Sequence, residues 1–172
     1  MLETTEELIA LHRANWPESL DAPLMGFVFS LLRAREVHFR RVGEVLARHR
    51  LSPAQFDVLA SLRRSPPPWE LTPMGLQQAV LLTSGGLTKI LKELEERGLV
   101  VRSTREGDRR VKPVRLSEQG VQLAQRAIRE VRAEVGGWLH QLYDEEEMRR
   151  MGQLLGRMMA ADRQSPDAVQ DP

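Results

Sequence analysis

Apolar residues recur at spacings of three, four and seven along much of the chain, which is the pattern of amphipathic helices. One such series predicts a long helix over residues 24–49 with basic flanks, its apolar members being Leu24, Val28, Leu31, Val42, Val45 and Leu46. A second series predicts a helix over residues 84–97 with a buried face formed by Leu87, Ile90, Leu91 and Leu94. Gly98 follows this helix and is expected to end it in the left-handed conformation.

Capping residues locate the starts of the other helices. Ser52-Pro53-Ala54-Gln55 combines an N-cap serine, a proline in the first turn and a glutamine that completes a capping box. Thr72-Pro73 repeats the cap and the proline. Ser117-Glu118 is predicted to begin a helix that runs to about residue 142, and Asp144 to begin a last helix that ends at about residue 159.

The pattern changes after Gly98. Residues 99–103 and 111–116 each predict a strand, and the charged loop between them contains Gly107, so the pair predicts a hairpin with a basic tip. Pro113 lacks an N–H donor, so its strand is expected to lie at a sheet edge or to direct that position outward. The predicted fold is mainly α: a winged helix-turn-helix with long N- and C-terminal dimerisation helices and a two-stranded β-wing.

Composition excludes several kinds of site. The 172 residues include 25 Lys and Arg against 24 Asp and Glu, but residues 33–50 and 102–115 each carry a net charge of +4 and residues 1–23 a net charge of −4. Because the chain has no cysteine, disulfides and thiolate metal sites are excluded, and its four scattered histidines do not suggest zinc binding. The acidic N-terminus is unlike a signal peptide and no apolar run reaches 18 residues, so we expect a cytoplasmic protein without a membrane partner.

The helix over residues 84–97 carries residues suited to DNA on the side opposite its apolar face. Small and hydroxylated residues at a helix N-terminus allow close approach to a phosphate backbone, and the helix dipole favours the phosphate. Lysines in the following turn can reach phosphates or base edges. These candidate DNA-binding residues are Ser84, Gly85, Thr88, Lys89 and Lys92. Arg109 and Arg110 at the hairpin tip suit the electronegative minor groove.

Four segments carry a resemblance to a known family: LSPAQFDVLASLRR, LTPMGLQQAVLLTSGGLTKILKELEERGLVVR, Asp108-Arg109-Arg110 and VRLSEQG. Over roughly residues 24–160, the chain resembles the MarR family of bacterial transcription regulators. The resemblance implies a homodimeric repressor that places two recognition helices in successive major grooves of palindromic double-stranded DNA and its wings in the flanking minor grooves. Asp108 is the residue that would orient Arg110.

The expected organisation follows from that resemblance and from the predicted elements. Residues 1–50 form an N-terminal extension and dimerisation helix, and residues 51–117 form the winged helix-turn-helix domain. Residues 118–160 supply the C-terminal dimerisation helices, and residues 161–172 form a flexible tail.

The N-terminal extension is similar to that of a MarR subgroup with an added N-terminal helix, which responds to urate and related small aromatic or carboxylate metabolites. The resemblance implies a ligand site of one Trp, one Asp and two Arg, and three of these positions match Trp16, Asp57 and Arg102. The fourth falls on Ile90, which cannot pair with an anion, so another small aromatic acid is favoured over urate. A Trp face stacks on a flat ring and an Arg pairs with a carboxylate. Purely structural roles stay open: Trp16 can hold the added helix, and Arg102 can line the wing.

The sequence also bears on two other functional classes. The stretch from Lys89 to Arg97 holds three basic and three acidic residues, which keeps open a winged-helix module that binds protein instead of DNA. An enzyme is not expected, because the sequence has no nucleophile elbow and Gly85-Gly86 is not followed by the Lys-Ser pattern of a phosphate-binding loop. We also expect no cofactor and no metal.

Overall fold

Helices account for most of the residues that the structure, a computed structural model, describes: 4–19, 21–80, 84–102 and 113–163. The chain divides into two compact units, residues 1–131 and 132–172. The helices of the first unit are α1 (Thr5–Asn15), α2 (Ala22–Arg48), α3 (Pro53–Arg64), α4 (Pro73–Ala79), α5 (Ser84–Glu96) and α6 (Glu118–Val131), with a 3-10 turn at Pro17–Ser19. The second unit contains a π-helical turn (Arg132–Gly136), α7 (Gly137–Leu142) and α8 (Glu145–Arg163).

The predicted helix ends are confirmed where local capping residues form them. Ser52 Oγ accepts a hydrogen bond from the Gln55 N–H at 3.2 Å, and Gln55 Oε1 accepts one from the Ser52 N–H at 3.0 Å. Thr72 Oγ1 caps α4 by accepting a hydrogen bond from the Gly75 N–H at 3.0 Å, and Gly98 ends α5 with φ +66°. These features span three or four residues, so local sequence is sufficient to specify them.

The three strands β1 (Glu70–Leu71), β2 (Val100–Arg102) and β3 (Val114–Leu116) form an antiparallel sheet in the order β1-β3-β2. The predicted hairpin strands are present. The sequence pattern did not predict β1, because two residues are too few to show an alternating pattern. Of the two alternatives predicted for the strand at Pro113, the sheet-edge position is wrong, because β3 pairs with a strand on each side. Pro113 precedes the first residue of β3, so its missing N–H does not interrupt the strand itself.

The core of the first unit surrounds α3, which packs against α2, α4, α5, α6 and β3. Its buried side chains include Leu46, Val58, Leu59, Leu62, Leu76, Leu94, Val114 and Ala124. Gly120 of α6 lies directly against the backbone that follows α5, since a Cβ there would be 1.9 Å from the Leu99 carbonyl oxygen. The end of α5 is therefore held against both α3 and α6.

Two helical regions add detail to the sequence prediction. The added N-terminal helix α1 packs on α2, with the hydroxyls of Thr5 and Ser30 3.2 Å apart and the rings of His12 and Phe29 5.9 Å apart. The helix predicted from Ser117-Glu118 to about residue 142 is interrupted, because the π-helical turn separates α6 from α7. Among the described residues, no helix has both the length and the apolar character needed to cross a bilayer.

Candidate nucleic-acid interface and ligand cavity

Helix α5 has two chemically distinct faces. Leu87, Leu91 and Leu94 are buried as predicted, and Ile90 is half-buried. The opposite face is exposed at Gly85, Thr88, Lys89 and Lys92. Ser84 begins the helix, but its side chain lies outside the described residues.

Gly85 shows that packing does not dictate the small residue at the start of α5. A Cβ at this position would meet nothing within 4 Å, so the fold itself has room for a side chain. A small residue there leaves the first turn open to an external surface. The N–H groups in the first turn of a helix point along its axis and, with the helix dipole, favour a phosphate.

The acidic residues in the second half of α5 have partners within the protein. Glu93 Oε2 accepts a hydrogen bond from Gln55, and Glu95 Oε1 pairs with Arg102 Nε at 2.8 Å. Glu96 Oε1 lies 3.9 Å from Lys92 Nζ, in a pair whose Lys side chain is 77% exposed. On the exposed face of α5 the positive charge comes from Lys89 and Lys92, which lie in the middle of the helix.

The predicted wing is described only in part. Arg102 lies in β2, and Arg115 is exposed in β3. The candidate DNA-binding residues Arg109 and Arg110, and Asp108 beside them, lie outside the described residues.

A family model and a curated relative identify the chain. The model described as the MarR family matches residues 50–111. The HTH-type transcriptional regulator PecS of Dickeya dadantii (strain 3937) is 32% identical over 144 residues, which cover 84% of this chain and 86% of PecS. The chain belongs to the MarR family. It is therefore a DNA-binding transcription regulator and not an enzyme, and this decides against the module that binds only protein.

This MarR-family chain has the same fold as solved structures of other regulators. The transcriptional repressor CouR, bound to a 23-mer DNA duplex, is 25% identical and superimposes with a TM-score of 0.69 over 76% of this chain and 90% of CouR. NadR in complex with 4-hydroxyphenylacetate is 24% identical, with a TM-score of 0.63 over 75% of this chain and 89% of NadR. The mainly helical winged fold predicted from the sequence is confirmed.

The three predicted ligand residues of this MarR-family protein have different surroundings. Trp16 is 56% exposed at the end of α1, where its ring stacks on His12 with centroids 6.1 Å apart. Arg102 is paired with Glu95, at the junction of β2 and α5. Asp57 of α3 instead borders a cavity between α2, α3 and α6.

The cavity beside Asp57 has a volume of about 130 Å³. Burial raises the pKa of the Asp57 carboxyl above its ordinary value, and the positive charge of Arg64 opposes this effect. Apart from Asp57, none of the lining residues was predicted to contact a ligand; they are His38, Phe39, Val42, Pro53, Phe56 and Val131. The sequence signal for this cavity was weak: a ring residue next to another ring residue at His38-Phe39, and a ring residue next to the carboxylate at Phe56-Asp57. Only the packing of α2 on α3 brings the two dipeptides together.

Proposed function

We propose that this protein is a homodimeric repressor that binds a palindromic operator through α5 and whose DNA affinity changes when a small aromatic carboxylate binds. The observation that carries the proposal is the exposed face of α5, with small, hydroxylated and lysine side chains in its first turns and leucines buried behind them. Such a face suits a major groove, because the backbone can approach closely and the lysines can reach phosphates or base edges. The DNA complex of CouR supports the same use of the fold.

Each candidate DNA-binding residue has a proposed role. The start of α5 approaches the sugar–phosphate backbone, the lysines contact phosphates or bases, and the wing arginines enter the minor groove. The residues at the start of α5 are Ser84, Gly85 and Thr88. The lysines are Lys89 and Lys92, and the wing arginines are Arg109 and Arg110.

The proposed dimer accounts for apolar side chains that the single chain leaves exposed. On α2 they recur at helical spacing and are Leu24, Phe27, Val28, Leu32 and Phe39. In the second unit, α8 exposes a separate series: Met151, Leu154, Leu155, Met158 and Met159. Exposed apolar side chains that recur along one helix in this way mark an interaction site. A second copy would cover each series and present two α5 helices about 34 Å apart, as a palindrome requires.

The cavity beside Asp57 supports a ligand with one aromatic ring. Its volume of about 130 Å³ is close to that of an apolar protein cavity of roughly 150 Å³ that binds benzene. Phe39 and Phe56 supply ring contacts, and His38 can donate a hydrogen bond to a carboxylate. NadR, which shares the fold, binds 4-hydroxyphenylacetate, a compound of this class.

Trp16 and Arg102 do not line this cavity and stay proposed ligand residues because of the family resemblance. In that role Arg102 would bind the carboxylate of a ligand in exchange for Glu95, and Trp16 would stack on its ring. A ligand changes DNA affinity only through its different affinities for the DNA-bound and free conformations.

DNA binding is tested by fluorescence anisotropy with a duplex that the wild-type protein selects from a random-sequence pool. The affinity should fall steeply with salt, and Lys89→Ala and Lys92→Ala should each reduce the slope of log K against log salt by about 1. Arg126→Ala, which removes an exposed charge from α6, is the matched control and should leave the slope unchanged. Salt-insensitive binding, or the same slope in all three variants, would refute the interface.

Ligand binding is tested by a thermal-shift screen of aromatic carboxylates and purines, because a ligand that binds the folded state raises the melting temperature. The Trp16→Ala/Arg102→Ala variant should bind the selected duplex and lose its response to the best compound. Val42→Phe, which fills the cavity, should abolish the thermal shift without changing either of those residues. Normal duplex release by the double variant would count against Trp16 and Arg102, and a normal thermal shift in Val42→Phe against the cavity.

A further inference from the structure

Hydrogen bonds that converge on the Gln55 side chain tie the turn between α2 and α3 to the end of α5. Gln55 Oε1 accepts from the Ser52 N–H at 3.0 Å and from Arg97 Nη1 at 3.2 Å, and Gln55 Nε2 donates to Glu93 Oε2 at 2.9 Å. Arg97 Nη1 also donates to the Arg50 carbonyl at 2.8 Å. Gln55 is only 9% exposed, so water competes little for the three bonds that its side chain makes.

This network goes beyond the capping of α3, for which the bond to the Ser52 N–H is sufficient. The other two bonds of Gln55 reach residues 38 and 42 positions away in the sequence. Glu93 and Arg97 are one helical turn apart, and the Arg97 N–H still bonds to the Glu93 carbonyl, so both contacts hold the same end of α5. The apolar contacts of the buried leucines have no preferred direction, whereas hydrogen bonds restrict angle as well as distance. The Glu95–Arg102 ion pair adds a polar contact to β2, while the Gln55 network fixes α5 relative to α3.

We propose that Gln55 is a positioning residue for DNA recognition, which together with Glu93 and Arg97 sets the rotation of α5 about its axis. The inference rests on the proposed role of α5 as the helix that reads DNA. A rotation of about 20° would move a side-chain tip on a helix of this width by about 2 Å. That displacement breaks a hydrogen bond to a base edge, while flexible lysines can still reach phosphates. Gln55 therefore governs sequence-specific binding more than non-specific binding.

The network requires a side chain with both an acceptor and a donor, and this suggests an exchange experiment. Gln55→Glu keeps the acceptor for Ser52 and Arg97 but places a carboxylate against the carboxylate of Glu93. Adding Glu93→Gln restores this bond in the reverse direction, because the amide at position 93 donates to the carboxylate at position 55. The double variant can therefore join the same pairs of residues by hydrogen bonds. Glu93→Gln alone keeps an acceptor for Gln55 Nε2 and is the matched control.

The four proteins are compared on the selected duplex and on a scrambled duplex of equal length, at a temperature where circular dichroism shows each to be folded. Gln55→Glu should lower the ratio of specific to non-specific affinity by about tenfold, the effect of losing a hydrogen bond to a charged group. The double variant should return the ratio to within about twofold of wild type, and Glu93→Gln should change it little. Should Gln55→Glu fail to fold, Glu93→Ala removes only the acceptor and should lower the ratio in the same direction.

The outcomes separate this inference from the proposal on which it rests. If folded Gln55→Glu keeps the wild-type ratio while only its melting temperature falls, Gln55 stabilises the fold and the positioning role is wrong. A double variant that is no better than Gln55→Glu also contradicts it, because the exchange restores every bond. If wild-type protein selects no duplex, the proposed DNA interface fails first, and the role of Gln55 fails with it.

Discussion

Glu95 and Arg102 form an ion pair that joins α5 to strand β2, with Oε1 and Nε 2.8 Å apart. The two side chains are 31% and 38% exposed, so the pair contributes about 1 kcal/mol or less to stability. Its position is more important than its strength. Arg102 is a proposed ligand residue, and the pair means that an anionic ligand must compete with Glu95 for the guanidinium.

Glu95→Gln should strengthen binding of the aromatic carboxylate identified by the thermal-shift screen. The variant removes the competing charge, and the energy of a partly exposed ion pair corresponds to about two- to fivefold in affinity. Isothermal titration calorimetry measures the change. Glu96→Gln, whose partner is Lys92, is the control and should leave the affinity unchanged. An unchanged affinity in Glu95→Gln would show that Arg102 does not bind the anion.

Asp57→Asn should stabilise the protein at neutral pH. Because burial raises the pKa of Asp57 in the folded state, the contribution of this residue to stability is fully present below its unfolded-state pKa and is lost as pH rises through the folded-state pKa. Asparagine does not ionise and avoids that loss. In urea denaturation, the difference between variant and wild type should grow from acidic to neutral pH and then level off. A difference that is constant across this range would contradict the effect of burial.

Gly120→Ala should destabilise the protein by about 3 kcal/mol or more, because the new methyl group would overlap the backbone of Leu99. Gly43→Ala is the control, since Gly43 lies within α2 and a Cβ there meets nothing within 4 Å, and it should stabilise the protein by about 0.5–1 kcal/mol. Urea denaturation measures both values. Equal effects of the two substitutions would show that α6 does not approach Leu99 as closely as described.

Leu32→Glu should convert the proposed dimer into monomers. Leu32 is 56% exposed in the single chain, so a charge there costs the monomer little, whereas burial against a second copy would leave the carboxylate unpaired. Ala47→Glu adds the same charge at an exposed position of α2 beyond the apolar series and should leave assembly unchanged. Sedimentation equilibrium measures the mass of each. A Leu32→Glu variant with the same mass as wild type would exclude this part of α2 from the interface.

Sequence alone was sufficient where interactions are local. The caps at Ser52 and Thr72, the end of α5 at Gly98 and the buried leucines of α5 depend on residues within one or two turns, so their spacing predicted them. The same spacing separated the lysines of α5 from its apolar face. The family resemblance added the MarR fold and DNA-binding regulation, which the comparisons confirmed.

Only the tertiary structure decided features that join distant parts of the chain. The two residues of β1 become a strand because β3 offers them a partner, and that pairing moves β3 to the centre of the sheet. The cavity beside Asp57 exists because α2, α3 and α6 meet there, and Gln55 reaches Glu93 because α5 packs on α3. Local spacing sets the face on which a side chain lies, but packing between elements sets which side chain it meets.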